Sequence, residues 1–327
     1  MDLGIDLGTS NTVVSDVRRG IVFDEPSVML VRPGGGRRPQ IQAVGRDAAD
    51  LLGRAPTRFT PLRPLHDGVV TDLESARLYL RAVLSRAGRR PWNPVRAVIG
   101  VPADSTALET RALLEAAQDA GLRPVTALDN PVAGAVGCGV DPLEARVHMV
   151  VDVGGGTAEA AAFCFGGILG HRTSKVGGDQ MTIAVGRYLR EQHQLHVSEL
   201  EAERVKVLSA AEDGPLVVHG RDGGSGRARL ATVQAPEIAD AVRPVVAEVV
   251  RALTACLDDL PPQALADVLA EGVLVFGGAS LVHGFPQQLE SELGLPVKLA
   301  EEPMTCVAEG AARALRNRQL LKAYGRS

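Results

Sequence analysis

Long apolar runs, aromatic side chains and surplus positive charge are all scarce in this sequence, and each scarcity removes a class of function. No uninterrupted apolar stretch approaches the roughly 18 residues that a membrane-spanning helix needs. The opening MDLGIDLG carries neither a basic segment nor the apolar core of a secretion signal, so the chain is expected to be made and kept in the cytosol. A formal charge of −4 and a pI near 6.0 give no basic footprint for nucleic acid. Lysine occurs only at Lys175, Lys206, Lys298 and Lys322, and arginine supplies the rest of the positive charge; no function follows from that bias. The cysteines, Cys138, Cys164, Cys256 and Cys306, are far apart in sequence and show no CxxC or Cys/His ligand spacing. They are expected to be buried thiols of a reducing compartment. Also missing are GxxxxGK[ST], a GxGxxG joining strand to helix, HExxH and a G-x-S-x-G elbow, which removes support for P-loop, dinucleotide-binding, zinc-protease and serine-hydrolase chemistry.

What is present is globular and duplicated. Hydrophobic residues at 45% and charged ones at 23% suit a folded chain, and 327 residues suit two domains of roughly 150 each. Strand-like runs at 2–15, 20–32, 96–103 and PVTAL alternate with helical periodicity at 72–87 and 104–121. The second of these helices carries Asp104 or Ser105 as N-cap and Gly121 as C-cap. The second half repeats the pattern. RVHMVVDVGGGTAEAAAFCF reads as strand, glycine turn and strand, and helices are expected at 179–193, 198–212 and 236–259. GVLVFGGASL is a strand entering a glycine turn, and a closing helix over 303–321 opens on Pro303. The segment GRDGGSGRAR at 220–229 reads as a loose tip. Aligned, GIDLGTSNT and VVDVGGGTA match Asp6 with Asp152 and Gly8 with Gly154, one domain length apart. The chain is α/β with two similar cores.

Glycine turns let backbone N–H groups approach an anion because no Cβ intervenes. Thr9, Ser10 and Asn11 in one turn and Gly154, Gly155, Gly156 and Thr157 in the other are candidates to hold a polyphosphate from two sides. Asp6 and Asp152, at the strand ends, are candidates to hold Mg²⁺ through its waters, since that ion keeps most of its hydration shell. Either turn alone reads better as an ordinary hairpin; two copies at domain spacing favour the site.

DLGTSNT, DVGGGT, FGGAS and the small-residue segments PVAGAVGCG and PMTCVAEGAARAL together resemble the actin, DnaK-type chaperone and sugar-kinase superfamily. GIVFDEPSVMLV, AVGRDAADLLGR, LRPLHDGVVTD, VGGD, AERVK and EEPMTCVAEGAARAL are similar to the MreB/Mbl family of bacterial actin-like proteins, and the likeness runs over essentially the whole chain. The resemblance implies an actin-like ATPase fold: two ribonuclease-H-like domains around a nucleotide cleft, each with a small inserted subdomain. On that pattern the first domain is 1–142 plus 303–327, with its insert at about 33–62, and the second is 143–302, with its insert at about 180–240. It implies an ATP- and Mg²⁺-binding cytoskeletal protein that polymerises with itself, lies at the inner face of the cell membrane and works with cell-wall synthesis or membrane scaffold proteins. By motif, Glu203 and Lys206 fall on the ribose and adenine side, and Gly277, Gly278 and Ala279 on the adenosine. A solvated helix pair is the alternative for Glu203 and Lys206.

Three departures from the family pattern bear on function. Asn130 stands where the family has a water-placing glutamate; an amide orients water but cannot take its proton, so slow hydrolysis is expected, with Asp129 as a substitute. VGGDQMT replaces VGGDxFD, and 213–235 is short and glycine-rich, so altered filament contacts are expected. The first strand is expected to begin almost at Met1, where many members of the family have an amphipathic membrane helix, so SRAGRRPWNPVR, with Arg89, Arg90 and Trp92, is the membrane-facing candidate. Trp92 packed on its own domain is the alternative. The competing functions are another actin-like filament for positioning or segregation and a small-molecule kinase of the same superfamily. A chaperone would need a substrate domain after the last motif.

Overall fold

The computed structural model describes residues 1–32, 39–66, 69–70, 72–89, 94–211 and 214–326. The chain begins with three antiparallel strands, β1 (Asp2–Leu7), β2 (Asn11–Asp16) and β3 (Gly20–Pro26). An excursion follows through β4 (Met29–Arg32), β5 (Gln40–Val44), α1 (Arg46–Ala49), β6 (Thr60–Leu62) and the small pair β7 (Leu65–His66) and β8 (Val69–Val70). It returns through α2 (Leu73–Arg86), β9 (Arg96–Val101), α3 (Ala107–Ala120), β10 (Val125–Asp129) and α4 (Asn130–Gly137). The second half runs β11 (His148–Val153), β12 (Ala158–Cys164), β13 (Gly167–Ser174), α5 (Gly178–His193), β14 (Leu195–His196), α6 (Glu199–Ala211), β15 (Pro215–Asp222) and β16 (Ala228–Gln234). It closes with α7 (Ala235–Asp258), α8 (Pro262–Glu271), β17 (Val273–Phe276), a 3₁₀ turn at Gly278–Leu281, α9 (Phe285–Leu293), β18 (Val297–Leu299), α10 (Cys306–Ala314) and α11 (Arg318–Tyr324).

The two main sheets have one topology. Their orders are β10-β9-β1-β2-β3 and β18-β17-β11-β12-β13, each with an antiparallel meander on one side and two parallel strands on the other. The central strands β1, β9 and β11 are buried over nearly their full length, as strands covered on both faces must be. Small three-stranded sheets, β5-β4-β6 and β14-β15-β16, sit in corresponding excursions.

Several local expectations change. Helix α3 is capped by Thr106, not Asp104 or Ser105, because Thr106 and Glu109 close a reciprocal capping box. The closing helix is two: α10 starts after Thr305, and the Asn317 side chain caps α11 by accepting from Leu320 N–H. The 220–229 tip is tied, not loose, since the Asp222 carboxylate accepts from the N–H groups of Gly224 and Ser225 and from the Ser225 hydroxyl.

Each half has its own core, and a third apolar cluster lies between them, built from Val98, Leu128, Val132, Val150, Phe163, Phe276, Val307 and Ala311. Helices α4 and α10 make that layer, each lying on the sheet of the other half. A Cβ on Gly134 of α4 would fall 2.1 Å from the Phe276 ring of β17, and one on Gly4 of β1 would fall 2.1 Å from the Ala308 carbonyl of α10. The helices cross just as closely: a Cβ on Gly310 would sit 1.7 Å from the Ala133 carbonyl, and one on Gly137 would sit 1.9 Å from the Cys306 carbonyl. Such contacts admit only hydrogen at these positions.

Gly310→Ala is therefore expected to lower the free energy of unfolding by roughly 2–4 kcal/mol, by overpacking against backbone that cannot yield. Gly186→Ala, in α5 with its nearest neighbour 3.8 Å from the new Cβ, is expected to be neutral or stabilising by up to about 1 kcal/mol. Urea denaturation of both variants makes the comparison.

Candidate functional site

The matching hairpins are closed by the same hydrogen bond. Gly8 N–H donates to the Asn11 carbonyl at 3.0 Å in the first, and Gly154 N–H donates to the Thr157 carbonyl at 2.9 Å in the second. The two turns meet: a Cβ on Gly155 would lie 2.0 Å from the Ser10 hydroxyl and 3.3 Å from its backbone nitrogen. Around this contact opens a cavity of about 470 Å³. Its wall includes Asp6, Thr9, Ser10, Asn11, Asn130, Asp152, Gly154, Gly155, Gly156, Thr157, Glu203, Lys206, Gly277, Gly278 and Ala279. Sequence reasoning named all of these; Asp129, named with them, is not part of the wall.

Asp129 is diverted by the end of the chain. Its carboxylate pairs with the Arg326 guanidinium at 2.6 Å, and Arg326 is itself fixed by reciprocal backbone bonds to Ala127 and by donation to the Ser105 and Ala103 carbonyls. Asp129 therefore does not stand in for the missing glutamate. It also occupies the N-cap position of α4, without a side-chain cap bond, so Asn130 is the first helical residue and Pro131 the second. Freed from capping, Asn130 lines the cavity, and its buried Oδ1 has no hydrogen-bond partner among the described residues. Gly100 gives it room, because a Cβ there would lie 2.5 Å from that oxygen.

The second turn is braced by α5. Gly178 and Asp179 N–H groups donate to the Gly154 and Gly155 carbonyls at 3.0 and 2.8 Å, and the Ser10 hydroxyl reaches across to Asp179 Oδ1 at 3.1 Å. The first turn is braced by Ser27, whose hydroxyl donates to the Gly8 carbonyl at 2.6 Å while its N–H donates to the Ser10 carbonyl. Tyr79 extends this network through Thr12. Ser27, Tyr79 and Asp179 escaped sequence reasoning as supports, although EPS and VGGD were visible signals. On the far wall Lys206 is only 6% exposed; its ammonium donates to the Gly178 carbonyl and the Thr182 hydroxyl and pairs with Glu203 at 2.6 Å. The pair exists, and it is solvated on one side only, since Lys206 is buried while the Glu203 carboxylate is partly exposed.

The floor is acidic. Burial, then the neighbouring Asp24, pushes the Asp6 carboxyl up to about 7. Burial, then the charges of Glu159 and Asp6, holds Asp152 well above the usual range. Glu159, missed by sequence reasoning, faces Asp152 directly across the β11–β12 ladder, where the first hairpin has Val13. It is 1% exposed and accepts from Ala103 N–H at 2.8 Å, a bond between the two halves. Burial pushes it up to about 8. No cation pairs with Asp6 or Asp152 among the described residues, so these carboxyls lack the positive charge that would hold them ionised. A hydrated Mg²⁺ fits that deficit, and glycine-lined turns with free approach to the backbone fit a polyphosphate. No cluster of three or more metal-ligating side chains exists among the described residues, so the floor suits an ion held mostly by water and ligand.

Of the membrane-facing candidates, Arg89 turns inward, donating to the carbonyl of Ala120, the last residue of α3, at 2.7 Å. Arg90 and Trp92 lie outside the described residues. No helix among the described residues is long and apolar enough to cross a membrane.

Between the ordinary value of 4.5 and about 8, the folded protein keeps the Glu159 proton that the unfolded chain has lost, so the ligand-free fold weakens as pH rises through that window. Glu159→Gln removes this charge and keeps the acceptor for Ala103. It is expected to stabilise the ligand-free protein at pH 8 by on the order of 2 kcal/mol, and to make little difference at pH 5. Thermal melts at the two pH values measure it.

The sequence matches the family model described as MreB/Mbl protein over residues 1–323. It is 36% identical to the cell shape-determining protein MreB of Escherichia coli (strain K12), over 96% of this chain and 93% of that one. It is 34% identical to the cell shape-determining protein Mbl of Bacillus subtilis (strain 168), over 97% and 96%. Among solved structures, MreB 5 of Spiroplasma citri bound to AMPPNP superposes with a TM-score of 0.90 at 26% identity, over 98% of this chain and 97% of that one. A MamK double helical filament has the same fold, with a TM-score of 0.81 at 24% identity over 97% and 98%. With duplicated sheets, a shared cleft and a match along nearly its whole length, the chain belongs to the MreB/Mbl family.

Proposed function

We propose that this chain is an ATP-binding, actin-like cytoskeletal protein that assembles with copies of itself into filaments serving cell shape or cell-wall synthesis. One observation carries the reading: two copies of a hairpin, from two copies of a sheet, meet over one cavity with Asp6 and Asp152 at its floor. The Spiroplasma citri relative was solved with AMPPNP and also with ADP, and the MamK relative forms a filament, which supports nucleotide binding and self-assembly here. The curated relatives are named for cell shape. On that ground the filaments are assigned to the inner face of the cell membrane, with wall-synthesis or membrane scaffold proteins as partners.

When bound, Mg²⁺ draws charge from the phosphate oxygens and so eases cleavage of the terminal phosphoanhydride. The backbone amides of Thr9, Ser10 and Asn11 and of Gly155, Gly156 and Thr157 would bind the phosphates, those of Gly8 and Gly154 being spent in closing the hairpins. Asp6 and Asp152 would hold the ion through its waters, and its charge would favour their ionised form. Gly277, Gly278 and Ala279 give the adenosine close approach to backbone, with Glu203 and Lys206 on the ribose side. Asn130 Oδ1 accepts a hydrogen bond from the attacking water and orients it, but an amide oxygen does not carry away the proton. Turnover is therefore slow, while binding and assembly remain.

Sedimentation with ATP and Mg²⁺, with ADP, and without nucleotide is expected to give a pellet with ATP that Asp152→Ala lacks; equal pellets in all conditions would sink the nucleotide-dependent filament. Phosphate release is expected to rise roughly tenfold or more in Asn130→Glu, which gains a proton acceptor, and to fall in Asn130→Ala. Equal rates in all three proteins would remove Asn130 from the reaction.

A further inference from the structure

The sequence scatters its cysteines, but the fold does not keep them apart. Cys138 follows α4 as its C-cap and Cys306 opens α10, and their sulfurs lie 3.3 Å from each other. The two thiols are within hydrogen-bond reach of each other, and the Cys306 sulfur also lies 3.0 Å from the Glu302 carbonyl. The backbones below them already touch, since a Cβ on Gly137 would lie 1.9 Å from the Cys306 carbonyl oxygen and 2.9 Å from its Cα. Closing the sulfurs to bonding distance needs a movement of about 1.3 Å, within reach of a side-chain rotation. Both cysteines are reduced, and Cys138 is half-buried, open to a small oxidant.

We infer that Cys138 and Cys306 form a reversible dithiol–disulfide site that fastens α4 to α10, the two helices on which the halves of the molecule meet. The chemistry has an entry point. Arg313 anchors its guanidinium on the Val136 and Gly137 carbonyls, beside Cys138. The hydrogen bond with Cys306 and this nearby cation bring the Cys138 thiol below its ordinary range, whereas Cys306 is pushed far up by its bond to Cys138 and by burial. Cys138 is thus the attacking sulfur.

With hydrogen peroxide as oxidant, the Cys138 thiolate attacks one oxygen and the O–O bond breaks. The departing hydroxide takes up a proton as water, leaving a sulfenic acid. The Cys306 sulfur then attacks the Cys138 sulfur, the S–O bond breaks, and the Cys306 proton leaves with the hydroxyl as a second water. Two thiols and one peroxide become one disulfide and two waters, and an external dithiol reverses the change. Cys164 and Cys256 are internal controls: Cys256 is buried against the Ala160 carbonyl, and no thiol pairs with either among the described residues. The bond would fix the helix crossing, and if assembly requires the halves to turn on that crossing it would block the filament; this consequence rests on the filament reading above, whereas the bond itself does not.

The test treats full-length protein with hydrogen peroxide, alkylates remaining thiols and maps unreduced peptides by mass spectrometry. Expected are a linked pair of peptides containing Cys138 and Cys306, lighter by the two thiol hydrogens, alkylated Cys164 and Cys256, and loss of the ATP-dependent pellet until dithiothreitol restores it. Cys138→Ser and Cys306→Ser, each a change of one atom, are expected to form no linked pair and to keep their pellet after peroxide. Separate alkylation or over-oxidation of Cys138 and Cys306 in the wild type, without a linked pair, overturns the site. A linked pair with an undiminished pellet overturns the fastening of the crossing. A reduced wild type that forms no pellet counts against the filament reading alone, and the linked peptides still decide the site.

Discussion

Everything else in this molecule depends on two helices crossing at backbone contact. Where Gly310 meets Ala133 and Gly137 meets Cys306, the separation leaves room for hydrogen and nothing more. Because each helix lies on the sheet of the opposite half, with α4 on β17 and α10 on β1, the crossing sets the distance between the sheets and hence the width of the cleft. Larger residues would part the helices and, with them, the hairpins. Close packing of small side chains also leaves little to resist a change of crossing angle, since no bulky residues interlock there. The same choice of residues makes the junction tight without side chains that interlock across it.

The second constraint is electrostatic and opposes the first. Packing the halves together encloses Asp6, Asp152 and Glu159 in one region, and burial raises all three above the usual carboxyl range. Without a cation, closing the cleft means keeping protons on these groups or separating them. A bound divalent ion removes that cost, so ligand and closure favour each other through charge as well as contact. Glu159 sits at the join of the two effects, beside Asp152 on one strand pair and hydrogen-bonded to Ala103 of the other half. The duplicated hairpin has Val13 at the equivalent position, so the acidity is one-sided by sequence.

The duplicated α/β pattern and the polar and glycine-turn part of the cavity wall were legible because they rest on local signals: alternating strands, glycine turns, aspartates at matched positions; the apolar part of the wall, such as Val13, Leu281 and Val307, was not. The misreadings are of another kind. Asp129 looks available until Arg326, almost two hundred residues later, is found to hold it. Thr106 takes the cap of α3 because Glu109 completes its box, a choice between neighbours that composition alone leaves open. Cys138 and Cys306 look unrelated in sequence and become neighbours only through the crossing. Each error concerns a long-range partner or a near-tie between adjacent polar residues. Arg89 belongs with them: its charge suggests a surface role, and the carbonyl of Ala120 turns it inward.

Asn130 shows how the local and the distant combine. As a helix opener it looks like a cap, and a capping amide would have its oxygen bound to backbone N–H groups and unavailable to a ligand. The chain instead gives the cap position to Asp129 and then withdraws that carboxylate toward Arg326. The consequence is a buried Asn130 oxygen with no partner among the described residues, set at the cavity wall in space that Gly100 leaves open. A buried acceptor without a donor costs about 1–3 kcal/mol, so a water or ligand that supplies one gains by that amount. The amide is therefore a strong site for holding a water and a poor one for deprotonating it, which is the physical ground for proposing slow turnover at a cleft that binds nucleotide.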